Sequence, residues 1–144
     1  MALGIGDRLP SFSLEDQNGD LRTPASVKGR WLVLFFYPKD DTPGCTAEAC
    51  SFRDNAESFA ALDAEVWGIS GDDAVSHRRF ATRHNLTFPL LCDRNNALRR
   101  EMGVPKALGL LPGRVTYIVD GEGMIRHTFS NLLDGPAHVR EAQQ

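Results

Sequence analysis

The sequence predicts an α/β chain in which a central sheet carries helices on both faces. Three observations lead there: two apolar runs without polar alternation, helical spacing between and after them, and a late pair of strands around a glycine-rich turn. A strand buried on both faces reads as a continuous apolar run. Strands alternating with helices, followed by a terminal hairpin and helix, suggest a layered α/β sheet.

Near the start, Phe12-Ser13-Leu14 and Leu21-Arg22 flank Gln17-Asn18-Gly19-Asp20. The Asn-Gly pair suits a hairpin turn because both residues accept positive φ. The run Trp31 to Tyr37 is the first buried strand, and Pro38 ends it. From about Thr46 to Asp63 the positions Ala49, Phe52, Ala56, Phe59, Ala60 and Leu62 follow three- and four-residue steps, predicting one helix. Glu65 to Ser70 reads as a second buried strand. Gly71-Asp72-Asp73 then caps a helix to about His84, with Val75, Phe80 and Ala81 inward. Pro89 to Cys92 is a short strand, and Asn95 to Met102 a short helix closed by Gly103. Val115–Val119 and Met124–Phe129 form a hairpin around Asp120-Gly121-Glu122-Gly123, and a last helix is expected from about Pro136 to Ala142.

The chain has 144 residues, 42% hydrophobic and 24% charged, within the ordinary range of a globular domain. A length like this buries about 70% of the unfolded surface without metals or disulfides. No repeat, linker or low-complexity tract divides it, so one domain spanning 1–144 is expected. Sixteen Lys and Arg against nineteen Asp and Glu leave a formal charge of −3. Without a basic stripe, nucleic acid is disfavoured as a partner, and His77-Arg78-Arg79 reads as a solvated helix face. The longest apolar run, Trp31–Tyr37, falls far short of a membrane helix. The stretch Met1 to Asp7 lacks the basic start and apolar core of a secretory signal. Three cysteines are too few, and an odd number, for a stapled secreted scaffold, which favours a reducing compartment. A cytoplasmic protein is expected, or a plastid one if the source is a plant.

Sites in such sheets lie beyond the carboxyl ends of the strands. The segment Pro38-Lys39-Asp40-Asp41-Thr42-Pro43-Gly44-Cys45-Thr46-Ala47-Glu48-Ala49-Cys50 occupies that place. Cys45 would stand in the first helical turn, where free backbone N–H groups favour the thiolate, the nucleophilic form. The alternative is a small buried hydrophobe, the usual fate of a free cysteine.

The spacing Pro38-x-x-x-Thr42-x-x-Cys45 resembles the active-site signature of the peroxiredoxins. Cys50, five residues on, is similar to the bacterioferritin-comigratory-protein or PrxQ branch. Phe35-Phe36-Tyr37-Pro38, Phe88-Pro89-Leu90-Leu91 and Gly113 to Asp120 extend the resemblance over nearly the whole chain. It implies a thioredoxin-like fold, a central mixed β-sheet flanked by helices with an N-terminal β-hairpin extension. It also implies thiol-dependent reduction of hydrogen peroxide and small organic hydroperoxides. Cys45 would be the peroxidatic nucleophile, and Cys50 the resolving thiol that closes a Cys45–Cys50 disulfide. Arg114 would hold thiolate and peroxide with a permanent charge. Thr42 would offer its hydroxyl to the peroxide, and Pro38 would shield the sulfur from water. Thioredoxin or a similar dithiol is the implied reductant, with no bound cofactor and a monomeric state.

Other readings stay open for several of these residues. Arg114 could be a surface cation, Thr42 a helix cap, and Cys50 a buried apolar residue. Arg53 reads as a helix-surface ion-pair partner, and Cys92 as a packed thiol at the end of a buried strand, the alternative being a bridge to Cys45 or an intermolecular disulfide. None of His77, His84, His127 and His138 is expected near the motif, and Cys45-x-x-x-x-Cys50 lacks structural zinc spacing, so no metal site is expected. Nor does Gly109 to Gly113 form a phosphate loop. Two rival functions are a thioredoxin-like disulfide oxidoreductase, which would need Cys-x-x-Cys, and a non-catalytic redox-sensing or holdase module.

Overall fold

A computed structural model of the chain describes residues 4–27, 29–40, 43–104, 106–107, 111–112 and 115–130. The first two strands, β1 (Leu14–Glu15) and β2 (Leu21–Arg22), pair antiparallel as the expected hairpin. Gly19, at φ +82°, supplies the turn conformation that a side chain would strain. Asp16 closes the same turn by accepting from the backbone N–H groups of Asn18 and Asp20.

The main sheet has five strands in the order β5-β4-β3-β8-β9. At its centre β3 (Trp31–Phe36) runs parallel to β4 (Ala64–Ser70) and antiparallel to β8 (Val115–Val119). The edges are β5 (Leu90–Cys92), parallel to β4, and β9 (Ile125–Ser130), antiparallel to β8. A smaller hairpin, β6 (Lys106–Ala107) with β7 (Leu111–Pro112), went unread in the sequence.

The lack of polar alternation in β3 has a direct cause. Leu32, Leu34 and Phe36 enter one core and Val33, Phe35 and Tyr37 the other, because successive strand residues point to opposite faces. Both faces are covered. Helices α1 (Pro43–Asp54), α2 (Ala56–Ala61) and α3 (Ala74–His84) contribute to the core that holds Phe35, while α4 (Ala97–Met102) contributes Leu98 and Met102 to the other. Complete burial of each large apolar side chain is worth about 1.5–3 kcal/mol.

One close approach fixes where α1 sits. A Cβ on Gly68 of β4 would meet the Phe35 ring at 2.7 Å and Leu90 at 2.9 Å, so only glycine leaves room for that ring. Phe35 in turn stacks on Phe52 of α1, with centroids 4.5 Å apart and planes 18° from parallel. Phe52 also meets Phe59 of α2. The helix that starts with the candidate thiol is thus held through its last turn.

Two expectations need correction. The single helix over Thr46–Asp63 is two helices broken at Asn55. There the side-chain amide donates to the Ser51 carbonyl at 2.8 Å, competing with the helical ladder. Both halves bury aromatics in the same core, so the periodicity did not reveal the break. In α3, Asp73 caps the helix as expected, accepting from the Ser76 N–H, but Val75 is 58% exposed and His77 takes the inward position with Phe80 and Ala81. His77 is not part of a solvated face.

The expected C-terminal helix lies outside the described residues. No helix among the described residues is long and apolar enough to cross a membrane.

Candidate active site

The chain leaves the carboxyl end of β3 at Tyr37, passes half-buried Pro38, and enters α1 at Pro43. Proline suits a first helical position because the missing N–H would have no partner there. The first turn of α1 carries no acidic side chain. Cys45, its third residue, is 1% exposed and packs in the core cluster that contains Tyr37, Ala49 and Phe52. The thiol therefore stands at the positive end of a twelve-residue helix, shielded from bulk water.

Cys50 lies on the same unbroken helix and is half-buried, and all three cysteines are free thiols. Thr42 and Arg114 lie outside the described residues. Val115, the residue after Arg114, pairs with Phe36 at the end of β3. Arg53 behaves as expected, its guanidinium engaging Asp54 at 2.8 Å and the His84 carbonyl.

Four site residues escaped the sequence reading. Glu48, one turn beyond Cys45, is fully buried. The i, i+3 spacing that puts it on the face of Cys45 could have found it. Arg99 of α4, 4% exposed, reaches up from the opposite side of the sheet. It donates to the Tyr37 carbonyl at 2.7 Å and lies 5.5 Å from the Phe36 ring centroid.

The remaining two, Asp40 and His77, form a pair. Asp40, inside the motif, is 5% exposed and His77 is fully buried. The His77 Nδ1 lies 2.7 Å from Asp40 Oδ2 and its Nε2 2.9 Å from the Leu91 carbonyl. With Asp40 as a carboxylate both neighbours accept, both ring nitrogens donate and the ring is an imidazolium. Asp40 also accepts from the Tyr37 hydroxyl at 2.6 Å and the Ser76 hydroxyl at 2.8 Å. The expectation that no histidine approaches the motif is therefore wrong. Sequence distance hid the contact, while the 77, 80, 81 spacing of inward residues carried the signal.

Burial disfavours the charged ring, but the hydrogen bond and charge of Asp40, joined by Cys92, outweigh it and raise the His77 pKa to about 10. Unfolded, the ring titrates near 6.5. Between those values only the folded chain holds the proton, so this stabilisation is complete below pH 6.5 and is lost as the pH rises through about 10. Thermal melts from pH 6 to 10 should show stability falling with pH, and His77→Gln should flatten that slope. Leaving either partner of a buried pair alone costs about 3–5 kcal/mol.

Asp40, Asp72 and His77 are also grouped closely enough to hold a cation. Their ligand atoms, however, are committed to one another and to neighbours: Asp72 Oδ2 accepts from the Asp40 N–H and the Ser70 hydroxyl. We read the group as a hydrogen-bonded network. Cys92 is 3% exposed, as its packing role requires, and borders a groove of about 500 Å³ with Phe12, Leu14, Leu21 and Leu98. Neither Cys45 nor Cys50 lines that groove.

A mixed sheet of this order, with a cysteine in the first turn of the helix that follows its central strand, defines a thioredoxin-like thiol protein. Residues 5–128 match the AhpC/TSA family, and the chain belongs to it. It is 47% identical over 133 residues, 92% of this chain, to chloroplastic peroxiredoxin Q of Triticum aestivum, and spans 61% of that protein's length. Peroxidoxin BcpB of Mycobacterium tuberculosis superposes with a TM-score of 0.90 at 35% identity, covering 98% of this chain and 94% of that one. A Xanthomonas campestris bacterioferritin comigratory protein, described in terms of its alkyl peroxide reduction activity, superposes at 0.82 with 30% identity, covering 92% and 89%. The peroxiredoxin resemblance and the thioredoxin-like fold are borne out.

Proposed function

We propose that the chain is a thiol peroxidase that reduces hydrogen peroxide and small alkyl hydroperoxides. The observation that carries the reading is Cys45, buried in the first turn of α1 after β3 and closing the Pro38-x-x-x-Thr42-x-x-Cys45 signature. The similar Xanthomonas protein's alkyl peroxide reduction supports the substrate class.

The Cys45 thiolate attacks one peroxide oxygen, and the O–O bond breaks. The other oxygen leaves as alkoxide or hydroxide and takes up a proton. Free N–H groups of the helix end and the Arg114 guanidinium stabilise the charge that grows on it. Thr42 orients the peroxide and Pro38 keeps water from the sulfur. The resulting sulfenic acid is attacked by Cys50, which expels water and forms the disulfide. A dithiol such as thioredoxin returns both sulfurs to thiols by exchange. We place the reaction in a reducing interior compartment, the cytoplasm or, as for the wheat relative, a chloroplast.

Geometry sets a condition on the second step. Five residues of ideal helix separate two Cα atoms by about 9 Å, whereas a disulfide needs them within about 7 Å. Cys45 and Cys50 lie in one unbroken helix, so α1 must unwind to bridge them. Amide exchange across residues 43–52 should accelerate in the disulfide form, and unchanged protection would contradict the intramolecular route.

Peroxide consumption by the reduced chain tests the reading. It should stop after one equivalent alone and continue with thioredoxin and its reductase. Arg114→Ala should slow the peroxide step by roughly 10²–10³-fold, the size of losing one preorganised charge-stabilising group. A sensing or holdase module would instead be indifferent to that change.

A further inference from the structure

The segment that reaches the reactive helix is clamped from two helices and from the loop after β4. Behind Pro38, the Tyr37 carbonyl accepts from Arg99 of α4. Ahead of it, the Asp40 carboxylate binds the Tyr37 hydroxyl, Ser76 and His77 of α3, and its backbone N–H donates to Asp72 beyond β4. His77 is itself tied to Leu91 of β5. Three residues on from Asp40 the helix of Cys45 begins. A buried imidazolium–carboxylate pair of this kind has one arrangement, since each donor already has its acceptor and neither charge can turn to water.

We propose that Asp40 and His77 are positioning residues for the Cys45 reaction, a buried pair that fixes the entry to α1 so that the thiolate and an incoming peroxide meet in line. This inference rests on the thiol-peroxidase reading. The pair acts through the chain that joins Asp40 to the start of α1, not as a reacting group. It also sets a boundary to the unwinding. With Asp40 held at one end and Phe52 stacked on Phe35 at the other, the rearrangement that joins Cys45 to Cys50 is confined to the stretch between them.

The test compares two rates at Cys45 in the wild-type chain, His77→Gln and Tyr37→Phe. One is oxidation by hydrogen peroxide and the other alkylation by iodoacetamide, also a displacement by the thiolate but on a reagent that the peroxide-positioning groups do not hold, so that its rate reports access to the thiol. A misplacement of about 1 Å can cost about 10²-fold, so with smaller shifts His77→Gln should slow peroxide oxidation about tenfold and Tyr37→Phe about threefold. Alkylation should stay within about twofold of wild type. General loosening would do the reverse, exposing the buried sulfur and speeding alkylation. Unchanged peroxide rates in the folded variants, or a loss that tracks faster alkylation, overturns the proposal. Tyr37→Phe, which removes one hydroxyl and keeps the ring packing, decides the matter if His77→Gln does not fold. A wild-type Cys45 that ignores peroxide overturns the peroxidase reading, and the proposal with it. Failure of the proposal alone leaves the wild-type reaction intact.

Discussion

Cys45→Ser should lower peroxide reduction by on the order of 10⁴-fold or more, the scale seen when a covalent nucleophile is removed. At neutral pH a serine hydroxyl offers almost no alkoxide, and no other group within the first turn of α1 can attack an O–O bond. The substitution is close to isosteric, and the hydroxyl would sit at a helix end with N–H donors to receive its oxygen. The variant should therefore fold, with a thermal midpoint near that of the wild type. Peroxide consumption and a melting curve on the same sample measure both. Substantial residual activity would move the chemistry to Cys50 or Cys92 and dissolve the site as drawn.

Cys50→Ser has a different signature and the second-largest effect. The first step should survive, because Cys50 is half-buried one turn and a half from Cys45 and lies outside the core clusters. Stopped-flow oxidation of Cys45 should stay within about twofold of wild type, since no group that contacts the peroxide changes. Steady-state turnover with thioredoxin should collapse after one equivalent, leaving a sulfenic acid on Cys45. A trapping reagent for sulfenic acids would then label Cys45 in the variant and not in the wild type. Sustained turnover by Cys50→Ser would assign resolution to another thiol.

What the sequence revealed and what it hid follow from the range of the forces involved. β3 was legible because a strand packed on both faces must be apolar at every position, and Leu32 to Tyr37 meet that demand in consecutive residues, while Trp31 at the start of the run is 42% exposed. Asp73 as a cap and Gly103 as a helix terminator are local devices, readable within four residues. The place of Cys45 in the first turn of α1 was legible for the same reason, since proline, helix start and thiol are contiguous.

His77 was not legible. Its inward turn depends on Asp40, 37 residues earlier, and nothing near position 77 announces that partner. An apolar Val75 looked the better core residue. Burial of a charged ring over a valine becomes favourable only once its acceptor exists. Asn55 was hidden in another way. Phe52 and Phe59 point into one core on either side of the break, so the hydrophobic period continues while the helix does not. Arg99 joined the site from the far side of the sheet, a relation that only the strand order creates.

The most direct test is the intact mass and peptide map of the fully reduced chain after one equivalent of hydrogen peroxide. The account predicts a loss of two hydrogens and a single linked peptide joining Cys45 to Cys50, with Cys92 still reduced. A chain in which Cys45 remains a free thiol would contradict the peroxidase reading at its root.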